Sequence, residues 1–181
     1  MKYGINMLLI SALLIGLTSC GSVPASFTQN TRTKYDLSAE DLRSLQFYVS
    51  NDIVLTRYSR EDKKATQGGE LTLLKDEVLE RIVIRSGTPC LVHEVIDGNR
   101  IAFSFEDGAS RYLVFGNIRN QDGRYTLQAL DWKNEKGGLV NYGEKEYYAS
   151  PESRESYIYL MVKSLERFKM DQKVVKGKTL N

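Results

Sequence analysis

Asp97-Gly98-Asn99-Arg100-Ile101-Ala102-Phe103-Ser104-Phe105-Glu106-Asp107-Gly108 is the stretch whose reading decides the fold class. Ile101, Phe103 and Phe105 alternate with Ala102, Ser104 and Glu106. That period of two sets one row of a strand against a core and the other toward solvent. An Asp-Gly pair stands on each side, where the aspartate bonds its own backbone and the glycine supplies positive φ, so the strand enters and leaves through turns. Outward from there the same texture repeats. Cys90 to Ile96 reads as the preceding strand, and Tyr112 to Phe115 as the following one. Asp122-Gly123 turns the chain again into Arg124 to Leu130. Gly137-Gly138 precedes Leu139 to Tyr142, and Gly143-Glu144-Lys145 has the composition of a hairpin tip before Glu146-Tyr147-Tyr148.

Upstream, Ser86-Gly87-Thr88-Pro89 ends a strand abruptly, since Pro89 has no N–H and Gly87 tolerates a turn conformation. Val78 to Ile84 and Leu71 to Lys75 read as strands. In the first, Val78, Ile82 and Ile84 share a face that Glu80 interrupts. Residues 59 to 69 (SREDKKATQGG) are charged and end in glycines, which predicts an exposed loop. Phe47-Tyr48-Val49 and Ile53-Val54-Leu55 are β-type runs broken by Ser50-Asn51-Asp52, as at a bulge or tight turn. Before them, Ser38 can cap a short helix ending near Leu45, with Glu40 and Asp41 at its positive end. Leu37 and Leu42 are spaced as a hydrophobic staple. Asp41 is shorter than the usual Glu or Gln of a capping box, which weakens the expected return bond. At the other end, Tyr157, Tyr159 and Met161 alternate with Ile158, Leu160 and Val162 and predict a strand. A helix over 157–168 is the competing reading.

The fold class expected is mainly β: an antiparallel meander with a short N-terminal helix after a linker. Arg81 to Gly116, with its strand, Gly-Thr-Pro turn and Asp-Gly hairpins, resembles a small SH3-like barrel. A small β-sandwich would carry the same pattern. No repeat of fixed period appears.

The N-terminus carries a different message. Lys2 precedes an apolar run from Met7 to Leu17, which stops at Thr18-Ser19-Cys20. The run is shorter than the roughly 20 apolar residues of a membrane-spanning helix and has the layout of a signal peptide. Leu17-Thr18-Ser19-Cys20 resembles the lipobox of bacterial lipoproteins, and the chain resembles the small envelope lipoproteins of diderm bacteria. The resemblance implies that residues 1–19 are removed and that Cys20 becomes the first residue, carrying diacylglycerol and an acyl chain such as palmitate. Two or three chains, at about 0.8 kcal/mol per buried CH2, hold a protein on a bilayer. Gly21 stands where an aspartate would resemble an inner-membrane retention signal, so the resemblance implies the outer membrane; no acidic cluster follows Cys20, which favours a periplasm-facing protein over a surface-exposed one. Residues 20–36 read as a lipidated flexible linker reaching on the order of 20–24 Å. Residues 37–168 read as a single domain, and 169–181 as a basic, solvated tail.

The 181-residue chain has a formal charge of +2, of which Lys2 leaves with the signal. A near-neutral chain of mixed charge lacks the electrostatic footprint of a nucleic-acid binder. With Cys20 lipidated, Cys90 has no internal disulfide partner and reads as a small buried apolar residue. His93 is the single histidine. Three positions from Cys90 on a strand, it points to the opposite face, which argues against a Cys–His nucleophile pair. Cys and His ligands are too few for a structural zinc site, and no cofactor is expected beyond the covalent lipid. Asp97, Asp107 and Asp122 read as turn residues rather than calcium ligands.

The remaining signal is aromatic. Trp132, Tyr142, Tyr147, Tyr148, Tyr157 and Tyr159 crowd the C-terminal third and could form a binding face for glycans or peptides; the alternative is that they line the core. Tyr147 and Tyr148 must split between two faces. Together these readings favour a non-catalytic binding or assembly module, tethered to the membrane and presented to an envelope protein complex or to peptidoglycan. The alternatives are an envelope hydrolase with paired carboxylates and a purely structural lipoprotein.

Overall fold

A computed structural model describes residues 22–67, 70–117, 122–133 and 137–166, within which 59–78 are described at the level of the backbone. The signal segment, Cys20 and the tail from Lys169 lie outside the described residues. The elements in order are β1 (Pro24–Ser26), α1 (Gln29–Lys34), α2 (Ala39–Ser44), β2 (Phe47–Val49), β3 (Ile53–Gln67), β4 (Glu70–Ile84), β5 (Pro89–Val95) and β6 (Arg100–Ser104). They continue with β7 (Tyr112–Gly116), β8 (Thr126–Leu127), β9 (Trp132–Lys133), β10 (Gly137–Tyr142), β11 (Lys145–Ala149), a 3-10 turn (Pro151–Glu155) and β12 (Ile158–Met161). No helix among the described residues is long and apolar enough to cross a membrane.

The fold is mainly β, as the sequence predicts. Two antiparallel sheets form a small sandwich, ordered β1-β12-β2-β5-β6-β7-β8 and β4-β3-β11-β10-β9. The Ser50-Asn51-Asp52 interruption is the corner where the chain leaves the first sheet for the second, and the turn over Ser86 to Thr88 brings it back. In that turn Thr88 N–H donates to the Arg85 carbonyl with Gly87 at φ +80°, as a type II turn requires. The first sheet curls until its ends meet: Leu127 N–H donates to the Ser156 carbonyl and Ile158 N–H to the Tyr125 carbonyl. These bonds make the isolated bridge Thr126↔Tyr157, and a second isolated bridge joins Thr28 to Arg124, so the strands do not close as an SH3-like barrel.

The apolar row of β6 is buried at Ile101 and Phe103, but the expected alternation breaks at Ala102, which is buried too. A chain of rings runs through the core. Tyr125 stacks on Phe27 (5.0 Å between centroids), Phe27 meets Phe47 edge-on (5.1 Å), Phe47 meets Phe103 (5.2 Å) and Phe103 meets Phe115 (5.7 Å). Such pairs contribute about 0.5–1.5 kcal/mol each beyond area burial.

Residues 24–36 are not a linker. β1 pairs with β12, α1 is capped by Thr28 Oγ1 accepting from Thr31 N–H, and Phe27 is fully buried. The Phe27 ring supplies enough apolar burial to hold an otherwise polar segment on the domain. The Ser38 box is complete as well. Asp41 Oδ2 accepts from Ser38 N–H at 2.8 Å while Ser38 Oγ accepts from Asp41 N–H, so the shorter acid still reaches. In 157–168 both readings hold part of the segment: β12 covers its start and 162–166 are helical.

The largest departure is in 59–84. The expected loop through Gln67 is strand, and the two short strands expected after it are one. β3 and β4 pair continuously from Ile53↔Ile84 to Gln67↔Glu70, whereas β11 pairs with β3 at Leu55 and Thr56. Beyond Thr56 no third strand joins the hairpin among the described residues. At about 3.3 Å per residue, this two-stranded arm extends roughly 35 Å. The register sets Arg60 opposite Glu77 and Asp62 opposite Lys75.

Candidate functional site

The six aromatic residues do not form one face. Tyr142 and Tyr147 point into the space between the sheets and are buried. They can lie there because each hydroxyl donates to a carboxylate from elsewhere in the fold: Tyr142 to Glu106 Oε1 (2.8 Å), in the bend after β6, and Tyr147 to Glu80 Oε2 (3.0 Å) on β4. Burial, then the hydrogen bond to Glu106, pushes the Tyr142 phenol well above its ordinary range. Trp132 is half-buried against the core with the Arg154 guanidinium over its ring. Tyr148 faces outward on the second sheet, so Tyr147 and Tyr148 do split. Tyr157 and Tyr159 lie on the outer face of the first sheet, away from the others.

Glu80, the acid that interrupts the apolar stripe of β4, ties down the root of the arm. It accepts from Lys145 Nζ (3.0 Å), from the Tyr147 hydroxyl and from Arg57 (3.2 Å), which stands opposite it on β3. The cluster thus links β4, β3 and β11 where the hairpin leaves the sheet. The Lys145 hydrogen bond, with those of Tyr147 and Arg57, holds the Glu80 carboxyl below its usual range. A lowered pKa stabilises the fold above the unfolded value, near 4.5, and that stabilisation is lost as pH falls through the folded pKa. Tyr147 is shifted the other way, upward by burial and by Glu80, so its share is lost only in alkali. Hydrogen exchange at the Thr56–Tyr148 pairing is therefore expected to be slow at neutral pH. After correction for intrinsic rates it should quicken in acid, and in Glu80→Gln it should be quick at neutral pH too. Unchanged exchange in Glu80→Gln would mean the cluster does not hold the root.

Next to this root, Tyr58, Leu79, Val83 and Tyr148 share the outward face of the second sheet, and Tyr58 is 74% exposed. Exposed apolar side chains gathered on one face mark contact surfaces more often than scattered ones do.

On the first sheet, Tyr159 is not alone. Tyr48, its cross-strand neighbour on β2, stacks on it at 5.4 Å. The sequence reading left Tyr48 out, although its place between buried Phe47 and Val49 puts it on the outward row. Ser26, Ser50, Ser86, Tyr157, Tyr159 and Met161 line a groove of about 270 Å³ beside this stack. A larger cleft of about 350 Å³ lies between β7 and β10, with Arg100, Gln128 and Asn141 among its lining and Ile96 and Leu130 on its rim. A third hollow, about 250 Å³, holds Cys90, Glu106 and Asp107.

Cys90 is buried, and desolvation raises its thiol pKa far above that of a reactive cysteine. His93 lies exposed on the opposite face, stacked on Tyr112. Glu106 is tied to Tyr142 and to Arg111 (2.9 Å). Asp97 accepts from the backbone of Asn99 and Arg100 within its own turn, and Asp122 pairs with Arg124, as turn residues do. No group of three potential metal ligands occurs among the described residues. No family model matches this chain, and neither does any curated protein or solved structure.

Proposed function

We infer that this chain is a lipoprotein anchored through Cys20 to the outer membrane, facing the periplasm, and that it works there as a non-catalytic assembly module. Its β3–β4 arm takes hold of another envelope protein. The observation that carries this reading is the arm itself. Among the described residues no third strand joins the hairpin beyond Thr56, and a two-stranded hairpin is marginal in water on its own. Both edges of the arm lie without a pairing strand among the described residues, which suits strand addition to a partner. The apolar residues at its root, Tyr58, Leu79, Val83 and Tyr148, extend the same contact surface. A lipid tether supports the reading further, because confinement to one surface raises effective concentration and lets modest contacts suffice.

Two measurements test this. Cys20→Ser is expected to abolish palmitate labelling and leave protein of precursor size; a labelled, membrane-bound variant would refute the anchor. A photo-crosslinking residue placed at Tyr58 or Leu79 is expected to trap one envelope protein in living cells, whereas the same residue at Glu40 on α2 should trap none. Equal yields from all three positions would refute the arm as the contact.

A further inference from the structure

We propose that the groove beside the Tyr48–Tyr159 stack is a second binding site, separate from the arm, and that it takes one ring of a neutral glycan chain. Three features of the groove argue for this. The first is that its walls are rings already held in place. Tyr48 stacks on Tyr159 with 23° between planes, and the Arg124 guanidinium lies 4.9 Å over the Tyr157 ring while paired with Asp122. Fixed tyrosine faces offer contact area without a large ordering cost on binding.

The second is open hydrogen-bonding capacity. Tyr125, Tyr142 and Tyr147 have their hydroxyls bonded within the protein. Among the described residues, the hydroxyls of Tyr157, Tyr159 and Ser26 have no hydrogen-bond partner, and they border the same groove. Ser50 and Ser86 brace the floor: Ser50 Oγ accepts from Tyr157 N–H at 2.9 Å, and Ser86 Oγ donates to the Ser50 carbonyl at 2.6 Å. Flat apolar faces beside unpaired hydroxyls match a sugar ring, which shows C–H groups on its face and hydroxyls around its edge.

The third is charge and size. The residues lining the groove carry no charge at neutral pH, so an anionic ligand gains nothing there. At about 270 Å³ it falls below the roughly 300–1,000 Å³ of sites that enclose a whole small ligand. One unit of a longer chain fits it better. A peptide strand fits less well. The adjoining edge strand, β1, is three residues long and begins at Pro24, which has no N–H to offer.

The test uses the full chain in detergent, titrated with chitotetraose and maltotetraose as neutral probes and with tetra-alanine as the peptide probe, followed by tyrosine fluorescence and calorimetry. Saturable binding of a sugar is expected with Kd on the order of 1 mM. Tyr159→Ala is expected to weaken it at least tenfold, and Tyr159→Phe, which keeps the stack, about threefold. Tyr148→Ala, on the other sheet, and shortening of the arm are expected to leave it unchanged, so this site and the arm fail or stand separately. Should Tyr159→Ala unfold, Ser26→Leu, which fills the groove, gives the same reading. No saturable sugar binding at about 10 mM overturns the proposal. So does binding of the peptide alone, or sugar binding that survives in folded Tyr159→Ala or Ser26→Leu.

Discussion

Phe27→Ala is expected to lower the free energy of unfolding by about 3–5 kcal/mol, the cost of emptying a large, fully buried aromatic site. For a domain of this size that is a fall of roughly 10–15 °C in Tm. Phe27 is completely buried, stacked on Tyr125 and edge-on to Phe47, with its backbone bonded to Ile158 and Tyr125. Thermal unfolding followed by circular dichroism checks this. A change of less than about 1 kcal/mol would return residues 24–36 to a linker, since exposed linker positions tolerate such a substitution. The same result would remove β1 from the sheet and with it one wall of the tyrosine groove.

Gly137→Ala is expected to cost a comparable amount by a different route. Gly137 opens β10 at φ +84°, where an L side chain is strained by about 1–2 kcal/mol. A Cβ there would also overlap the Ala149 carbonyl oxygen on the neighbouring strand. Backbone cannot swing away as a flexible side chain can, and overpacking of this kind adds about 1–3 kcal/mol or more. The β10–β11 pairing supplies Tyr142, Lys145 and Tyr147, so loosening it should also expose the Tyr147 phenol and bring its titration back toward the ordinary range. Spectrophotometric tyrosine titration, with Tm, reads both effects. A Gly137→Ala protein with unchanged Tm would contradict the close approach of these strands.

What could be read from the chain follows from how each residue is held. β6 was legible because its large apolar residues fall on one row, even though Ala102 on the other row is buried too, and its flanking Asp-Gly turns are decided by local chemistry. The capped helix was legible for the same local reason. Phe27 was not, because one apolar residue among GSVPASFTQNTRTKYD gives no period, and its burial depends on rings brought from β2 and the β8 flank. The arm was misread for a physical reason. A two-stranded ribbon that no third strand joins among the described residues needs no alternation, so charged strands look like loop. Glu80 looked like a fault in an apolar stripe, and its meaning appears only when Lys145 and Tyr147 come to it from some 65 residues away. The aromatic cluster was legible as composition but not as a surface. Carboxylates brought from Glu106 and Glu80 bond the hydroxyls of the buried Tyr142 and Tyr147, while Tyr48, far off in sequence, stacks on Tyr159 beside the groove.

The decisive measurement is to join Ser59 to Val78, which face each other in the register, through an Asn-Gly turn in place of residues 60–77. That dipeptide favours the tight hairpin such a graft needs. The core residues that the structure describes all lie outside the removed stretch, so Tm and membrane attachment should stay as in the intact chain. The covalent adduct trapped from Tyr58 in cells should be lost. A shortened protein that is folded, anchored and still gives the adduct in full yield would show that the arm is not what holds the partner.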